Sequence, residues 1–195
     1  GDVPVVTIDH VFNNRMAILS DNVVGTKALV QQAWACGHRR IAFIHGEKTS
    51  VTENRIAGFY QACEELGLEI PEEYVRDGVY HDVERCAEET RALLALPQRP
   101  TCIIFPDDFS ALGGYNALSE AGLSIPEDIS VMGYDGIYLS RVVKPPLVTY
   151  QQNTKSLGRL AADKLIELIE HPRVTLPEQI RVSGKLLDGG SVRIL

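Results

Sequence analysis

Gly122-Leu-Ser-Ile-Pro-Glu-Asp-Ile-Ser-Val-Met-Gly-Tyr-Asp135 holds a whole helix-to-strand passage in fourteen residues. Gly122 ends a helix, and Pro126-Glu127-Asp128 turns the chain. Ile129-Ser-Val-Met132 then reads as a short buried strand. Gly133-Tyr134-Asp135 leave its carboxyl end. In an open α/β sheet, small ligands bind at the carboxyl ends of the strands, so Asp135 is a carboxylate delivered to a ligand mouth by a rigid element.

The same texture extends outward. Val5-Val6-Thr7-Ile8, Ile41-Ala42-Phe43-Ile44 and Thr101-Cys-Ile-Ile-Phe105 are short and nearly all apolar, as parallel strands buried on both faces are. A weaker strand lies around Tyr74-Val75. Helices are predicted between them: about 22–36 ending at Gly37, 53–66 ending at Gly67, 83–96 ending before Pro97, and 109–121 ending at Gly122. This β–α alternation predicts a doubly wound parallel sheet of the α/β class. Lys144-Pro-Pro-Leu-Val-Thr-Tyr150 is expected as an extended crossing segment, because each Pro disfavours helix in the residue before it. A helix over 154–170 follows, capped by Asn153, with Leu157, Leu160, Ala161, Leu165, Leu168 and Ile169 on one face. Residues 179–187 read as one or two strands broken at Ser183-Gly184. The series makes one complete lobe. The single strand before it and the helix and strands after it do not make a second, so the chain is expected to be truncated at its N-terminus, with Val5–Ile8 left at an edge without partners.

Composition narrows the functional classes. The chain has 195 residues, 45% hydrophobic and 23% charged, as an ordinary globular protein has. A net charge of −7 argues against a stand-alone nucleic-acid binder. No run is long and apolar enough for a transmembrane helix, and residues 1–6 show no basic region followed by an apolar core, so they are not read as a signal peptide. Cys36, Cys63, Cys86 and Cys102 form no CxxC pair and are read as reduced small hydrophobes of a cytoplasmic protein. No GxGxxG follows a strand, and no P-loop or Gly-x-Ser-x-Gly elbow occurs, so a Rossmann-type enzyme or hydrolase is not expected. Asp107-Asp108 is not read as a metal site, since adjacent residues rarely aim at one ion; no metal or cofactor is expected.

Individual residues allow two readings each. Arg55 near a helix start opposes the dipole, so it is either solvated or held by an anionic or hydroxyl-rich partner. Asp135 and Asp9 serve either as turn residues or as acceptors at strand ends. Tyr80 is either a loop tyrosine or a stacking platform. Asp108 is expected to cap the helix that follows it, and His38 to be a structural turn residue.

Several motifs occur in a recognisable order. Asp21-Asn22-Val-Val-Gly25 and Gly37-His38-Arg39-Arg40-Ile41 flank the first helix. Arg55-Ile-Ala-Gly58-Phe59, Phe105-Pro-Asp107-Asp108-Phe-Ser-Ala111-Leu-Gly113, Ile125 to Asp135, and Pro145-Pro146-Leu147-Val-Thr149 complete the series. Together they resemble the LacI-type family of bacterial transcription regulators over nearly the whole chain. The resemblance implies a periplasmic-binding-protein-like effector domain. Residues 1–21 and 150–181 would be part of its N-terminal lobe, and residues 22–149 and 182–195 its C-terminal lobe. It implies a small-molecule effector, most readily a carbohydrate, bound in an interlobe cleft by Asp9, Arg55, Tyr80, Asp107, Asp135 and Gln152. It implies a homodimer formed through Ala111, Leu112, Tyr115, Leu139 and Val142, within the unusually apolar 137–143 loop for the last two. Operator DNA would be met through a helix-turn-helix outside this chain. Two departures stand out. Asp107 replaces the usual Asn, and an Asp accepts only. Gly189 stands where the family's Arg-x-Ser motif has Arg, which puts the packing there in question. A sugar-binding protein of an uptake system is the alternative, since it shares the core fold.

Overall fold

A computed structural model describes residues 3–12, 15–176 and 178–195. They form two compact units, one of residues 1–21 and 152–184, the other of residues 22–151 and 185–195. The larger unit contains α1 (Asn22–Ala35), β3 (Ile41–His45), α2 (Ser50–Glu65), β4 (Val75–Asp77), α3 (Val83–Leu94), β5 (Cys102–Ile104), α4 (Ala111–Glu120), β6 (Ser130–Asp135), α5 (Leu139–Val142), β7 (Val148–Gln151) and β9 (Lys185–Leu187). The smaller contains β1 (Val6–Ile8), β2 (Met16–Ser20), α6 (Thr154–Glu170) and β8 (Gln179–Val182).

The larger unit's sheet has the order β4-β3-β5-β6-β7-β9, parallel except for the antiparallel β7–β9 edge. Register explains why its central strands carry apolar residues on both faces. Ile41 lies opposite Cys102, and Cys102 opposite Ser130, so odd and even positions line up in rows on opposite faces. Phe43, Ile104, Met132 and Val148 meet Leu29, Phe59 and Ala62 of α1 and α2 on one face. Ala42, Ile103 and Val131 meet Cys86, Leu93 and Leu118 of α3 and α4 on the other. Gly58 lets α1 and α2 cross closely: a Cβ there would sit 2.4 Å from the Val23 carbonyl oxygen. His38 is fully buried, with Nδ1 2.8 Å from the Thr101 hydroxyl and Nε2 3.0 Å from the Arg193 carbonyl. The carbonyl only accepts, so Nε2 carries the proton, and burial lowers the ring's pKa. Cys63, Cys86 and Cys102 are buried free thiols, and burial raises the first two to about 11.

The departure at Gly189 packs well. A Cβ there would lie 2.4 Å from the Pro146 carbonyl oxygen, so the backbone itself fills the space. The Ser191 hydroxyl donates to the Val131 carbonyl (2.6 Å) and accepts from the Val148 amide (2.8 Å), tying the tail to β6 and β7. The Arg141 guanidinium donates to the carbonyls of Asp188 and Leu147.

Three expectations need correction. The segment 144–150 is not merely a crossing: β7 is an interior strand of the larger sheet, between β6 and β9. Val6–Ile8 is not without partners, because it pairs in parallel with β2. The strand β2, Met-Ala-Ile-Leu-Ser, carries little β-branched character, and its second partner β8 lies about 160 residues away, so no local signal marked it. In α6, Asn153 caps as expected, accepting from the Ser156 amide at 3.2 Å. Ile169, however, faces outward.

Candidate functional site

In the larger unit the site begins with Arg55, which Thr49, as N-cap, places early in α2 by accepting from the Thr52 amide. Its side chain is 4% exposed and fully directed. Nε donates to Asn22 Oδ1 at 2.9 Å, and Nη1 donates to the Pro106 carbonyl at 2.7 Å. The guanidinium lies 3.5 Å from the Tyr134 ring centroid and 5.4 Å from that of Tyr80. Nη2 faces Asp135 Oδ1 at 3.8 Å. Because α2 begins at Ser50 and not near 53, Arg55 lies past the first turn where the dipole acts, and its charge is met by two charge-assisted hydrogen bonds, stacking and a carboxylate.

Tyr80 is seated from several sides. Its hydroxyl is 2.9 Å from Thr52 Oγ1, and its amide donates to Glu47 Oε2 at 2.9 Å. Burial raises the phenol's pKa, partly countered by Arg55. Asp135 ends β6 with φ +104°, and His81, beside Tyr80, has φ +59°. In the smaller unit, Asp9 follows β1 with φ +51°. Its Oδ1 accepts from the Ser20 amide (2.6 Å), and its Oδ2 lies 3.1 Å from the Ser20 hydroxyl, which is itself 2.6 Å from Gln152 Oε1. Among the described residues, only these three non-glycines have positive φ. Strained backbone of this kind gathers at ligand sites, where the surrounding structure holds it in place.

Thus Arg55, Tyr80 and Asp135 come together in one unit, and Asp9 and Gln152 in the other. Asp107 takes a different place. It is 1% exposed, and both oxygens accept from protein groups: Oδ1 from the Ser110 amide, Oδ2 from the His81 amide and the Ser110 hydroxyl. It, not Asp108, holds the turn at Ser110 that leads into α4. Asp108 is turned inward, accepting from the Ile137 amide (2.8 Å) and the Thr149 hydroxyl (2.5 Å). Burial pushes its carboxyl up to about 6 against those two hydrogen bonds. Sequence reading missed Asn22, Tyr134, Thr52 and Ser20. Asn22 and Tyr134 sat inside quoted motifs, where the clue was a polar residue beside a buried strand or helix start.

The expected dimer residues divide. Ala111 is fully buried in the α3–α4 core, so it is removed from any contact surface. Leu112, Tyr115 and Leu139 are half-buried, Val142 is exposed, and Tyr115 donates its hydroxyl proton to the Pro145 carbonyl. Ile137 and Tyr138 stand exposed beside them. Among the described residues, no helix is long and apolar enough to cross a membrane, and no His, Cys, Asp and Glu group is arranged to hold a metal.

Mostly parallel sheets packed against helices, as in both units, make an α/β fold of the periplasmic-binding-protein-like kind. The chain belongs to the periplasmic binding protein-like domain family, whose pattern matches residues 30–192, and its relatives are LacI-type regulators. It is 36% identical over 177 residues to the ribose operon repressor of Haemophilus influenzae, covering 87% of this chain and 52% of that protein. It is 37% identical over 175 residues to the transcriptional repressor PurR of the same species, covering 87% and 51%. The chain therefore spans about half the length of the curated relatives it matches. A LacI family regulator from Enterococcus faecium, solved with bound ribose, superposes with a TM-score of 0.86 at 27% identity, covering 98% of this chain and 71% of that one. Both of these curated relatives are named as repressors.

Proposed function

We propose that this chain is the effector-binding and dimerisation domain of a cytoplasmic transcriptional regulator, and that its effector is a neutral sugar. The Arg55–Asp135 pair carries the reading. A fixed guanidinium N–H beside a carboxylate oxygen suits vicinal hydroxyls, each of which accepts from one and donates to the other. The Tyr80 ring offers a face for the sugar. Within the smaller unit, Asp9, Ser20 and Gln152 form a hydrogen-bonded polar group of their own. Asp135 beside Arg55 already balances the guanidinium charge, which disfavours a phosphorylated effector. The ribose repressor and the ribose-bound regulator among the relatives support the same class. Operator DNA is met by a helix-turn-helix of the whole regulator, and the effector changes that affinity through linkage.

Thermal-shift screening of neutral pentoses and hexoses, sugar phosphates and purines tests the effector. A neutral sugar at 100 times its dissociation constant should stabilise by about 2.7 kcal/mol. Arg55→Ala and Asp135→Ala should each weaken it at least about tenfold. Stabilisation by phosphates or purines alone, or unchanged affinity in both variants, refutes the reading. The apolar surface of Ile137, Tyr138 and Val142, with Leu112, Tyr115 and Leu139 behind it, is proposed as the homodimer contact. Sedimentation should show a dimer that Leu139→Asp with Val142→Asp converts to monomer. A monomeric wild type at micromolar concentration refutes that part.

A further inference from the structure

We propose that Asp107 is a positioning residue: it clamps His81 in its left-handed backbone and so seats the Tyr80 ring beside Arg55. This rests on the reading of Arg55 and Tyr80 as effector-binding residues. The loop from Gly78 to His81 is only four residues long, between the end of β4 and Asp82, which caps α3. Its last residue has φ +59°, a conformation that costs a histidine energy. The His81 amide donates to Asp107 Oδ2 at 2.9 Å and lies 3.1 Å from Ser110 Oγ. Asp107 receives two further donors, the Ser110 amide on Oδ1 at 2.7 Å and the Ser110 hydroxyl on Oδ2 at 2.8 Å. Two backbone amides thus need two separate acceptor oxygens, which a carboxylate has and a carboxamide lacks. An Asn whose Oδ1 keeps the Ser110 amide would turn its NH₂ toward the His81 amide, leaving that amide only the longer 3.1 Å contact to the Ser110 hydroxyl. The identity of residue 107 is therefore coupled to the backbone of residue 81, and through it to the neighbouring Tyr80. The exposed His81 ring, with Nδ1 3.6 Å from Asp107 Oδ1, adds a weaker contact.

The test is Asp107→Asn in the ¹⁵N-labelled protein, alone and with His81→Gly. Two signals are followed: hydrogen exchange of the residue 81 amide, and the Arg55 Nε–Hε resonance, which the Tyr134 and Tyr80 rings shift. Asp107→Asn should speed exchange at residue 81 about tenfold or more and move the Arg55 resonance. Glycine holds φ +59° without the steric penalty, so the double variant should return the Arg55 resonance toward its wild-type position. A merely structural role for Asp107 at the start of α4 gives no such rescue. If Asp107→Asn alone does not fold, recovery of folded protein in the double variant reads the same rescue. Unchanged signals in Asp107→Asn, or no rescue by His81→Gly, overturns the proposal. No effector is needed, so the outcome is separate from that of the effector reading.

Discussion

The larger unit covers both faces of a six-stranded sheet, with α1 and α2 on one side and α3 and α4 on the other, and each face has its own apolar cluster. The smaller unit has three parallel strands and one long helix, and its buried cluster consists of Met16, Ile18, Leu157 and Ala161. In the larger unit Ile41, Ala42, Phe43 and Ile44 are all buried in succession. In the smaller, β8 alternates exposed Gln179 and Arg181 with half-buried Ile180 and Val182, and α6 leaves Ile166 and Ile169 in solvent. Two covered faces let every strand residue, instead of every second one, remove apolar area from water, and hydrophobic stabilisation scales with that area. Stability therefore concentrates in the larger unit. Yet both units place a strained Asp just at or beyond the carboxyl end of a strand, Asp135 after β6's buried run and Asp9 after β1. The strained strand-end Asp is shared; the depth of the core beneath it is not.

The largest expected effects test that difference directly. Ile103→Ala in the larger unit should cost about 3–5 kcal/mol, and Ile18→Ala in the smaller about 2–4 kcal/mol, each through lost transfer energy plus a cavity. The informative result is where the damage spreads. Hydrogen exchange should show Ile18→Ala confined to amides of β1, β2, β8 and α6, while Ile103→Ala loosens β3, β5 and β6 together. Equal protection of both units in the wild type, or uniform loosening by Ile18→Ala, would break the comparison.

Next in size is a pH dependence peculiar to the larger unit. Burial raises the Asp108 carboxyl from 3.8 to about 6 in the folded chain. Between those values the folded state holds a proton that the unfolded state has released, so stability from this group falls as pH rises through the window. A shift of about two units corresponds to about 3 kcal/mol, present in acid and lost by neutral pH. Asp108→Asn keeps an acceptor for the Ile137 amide, and the Thr149 hydroxyl can rotate to accept. The variant should remove this part of the slope between pH 4 and 6, read from denaturant midpoints with probes in β6 and β7. An identical slope in the variant would show that the buried carboxyl stays ionised throughout.

The larger unit was also the more legible in sequence. Its strands are continuous apolar runs bounded by Gly, His, Pro or Asp, and its helices stop at glycines or before Pro97, so β3, β5, β6 and the four long helices are visible locally. β2 was not visible, because what makes Met16–Ser20 a strand is pairing on both sides with distant segments. At the site, the positions of Arg55 and Asp135 were legible because motif spacing and strand ends fix them. The inward turn of Asp107 was not, because it depends on where the His81 amide arrives from another loop. Nor could the exclusion of Ala111 from the surface be read, since a small residue near a helix start serves equally in a core or an interface.

The smallest expected effects come from two helix caps of similar geometry, one in each unit. Asp82 accepts from the Arg85 amide at 2.9 Å and starts α3; Asn153 accepts from the Ser156 amide at 3.2 Å and starts α6. Replacing either by Ala removes one acceptor from one orphan amide, about 1 kcal/mol. Local energy is thus nearly equal, and only the support behind each helix differs. α3 buries Cys86, Ala87, Glu89, Thr90 and Leu93, so fraying at its first turn should stop there. α6 buries only Leu157 and Ala161 over 17 residues, and Leu157 lies in its first turn, so Asn153→Ala should loosen the packing of the helix as well as its end. Amide exchange along the two helices separates the cases: confined to residues 83–86 for Asp82→Ala, extending past residue 161 for Asn153→Ala. Confinement to the first turn in both variants would mean that α6 is held by more than its two buried side chains, with Leu160 and the partly buried Val6 and Ile180 carrying weight that their exposure conceals.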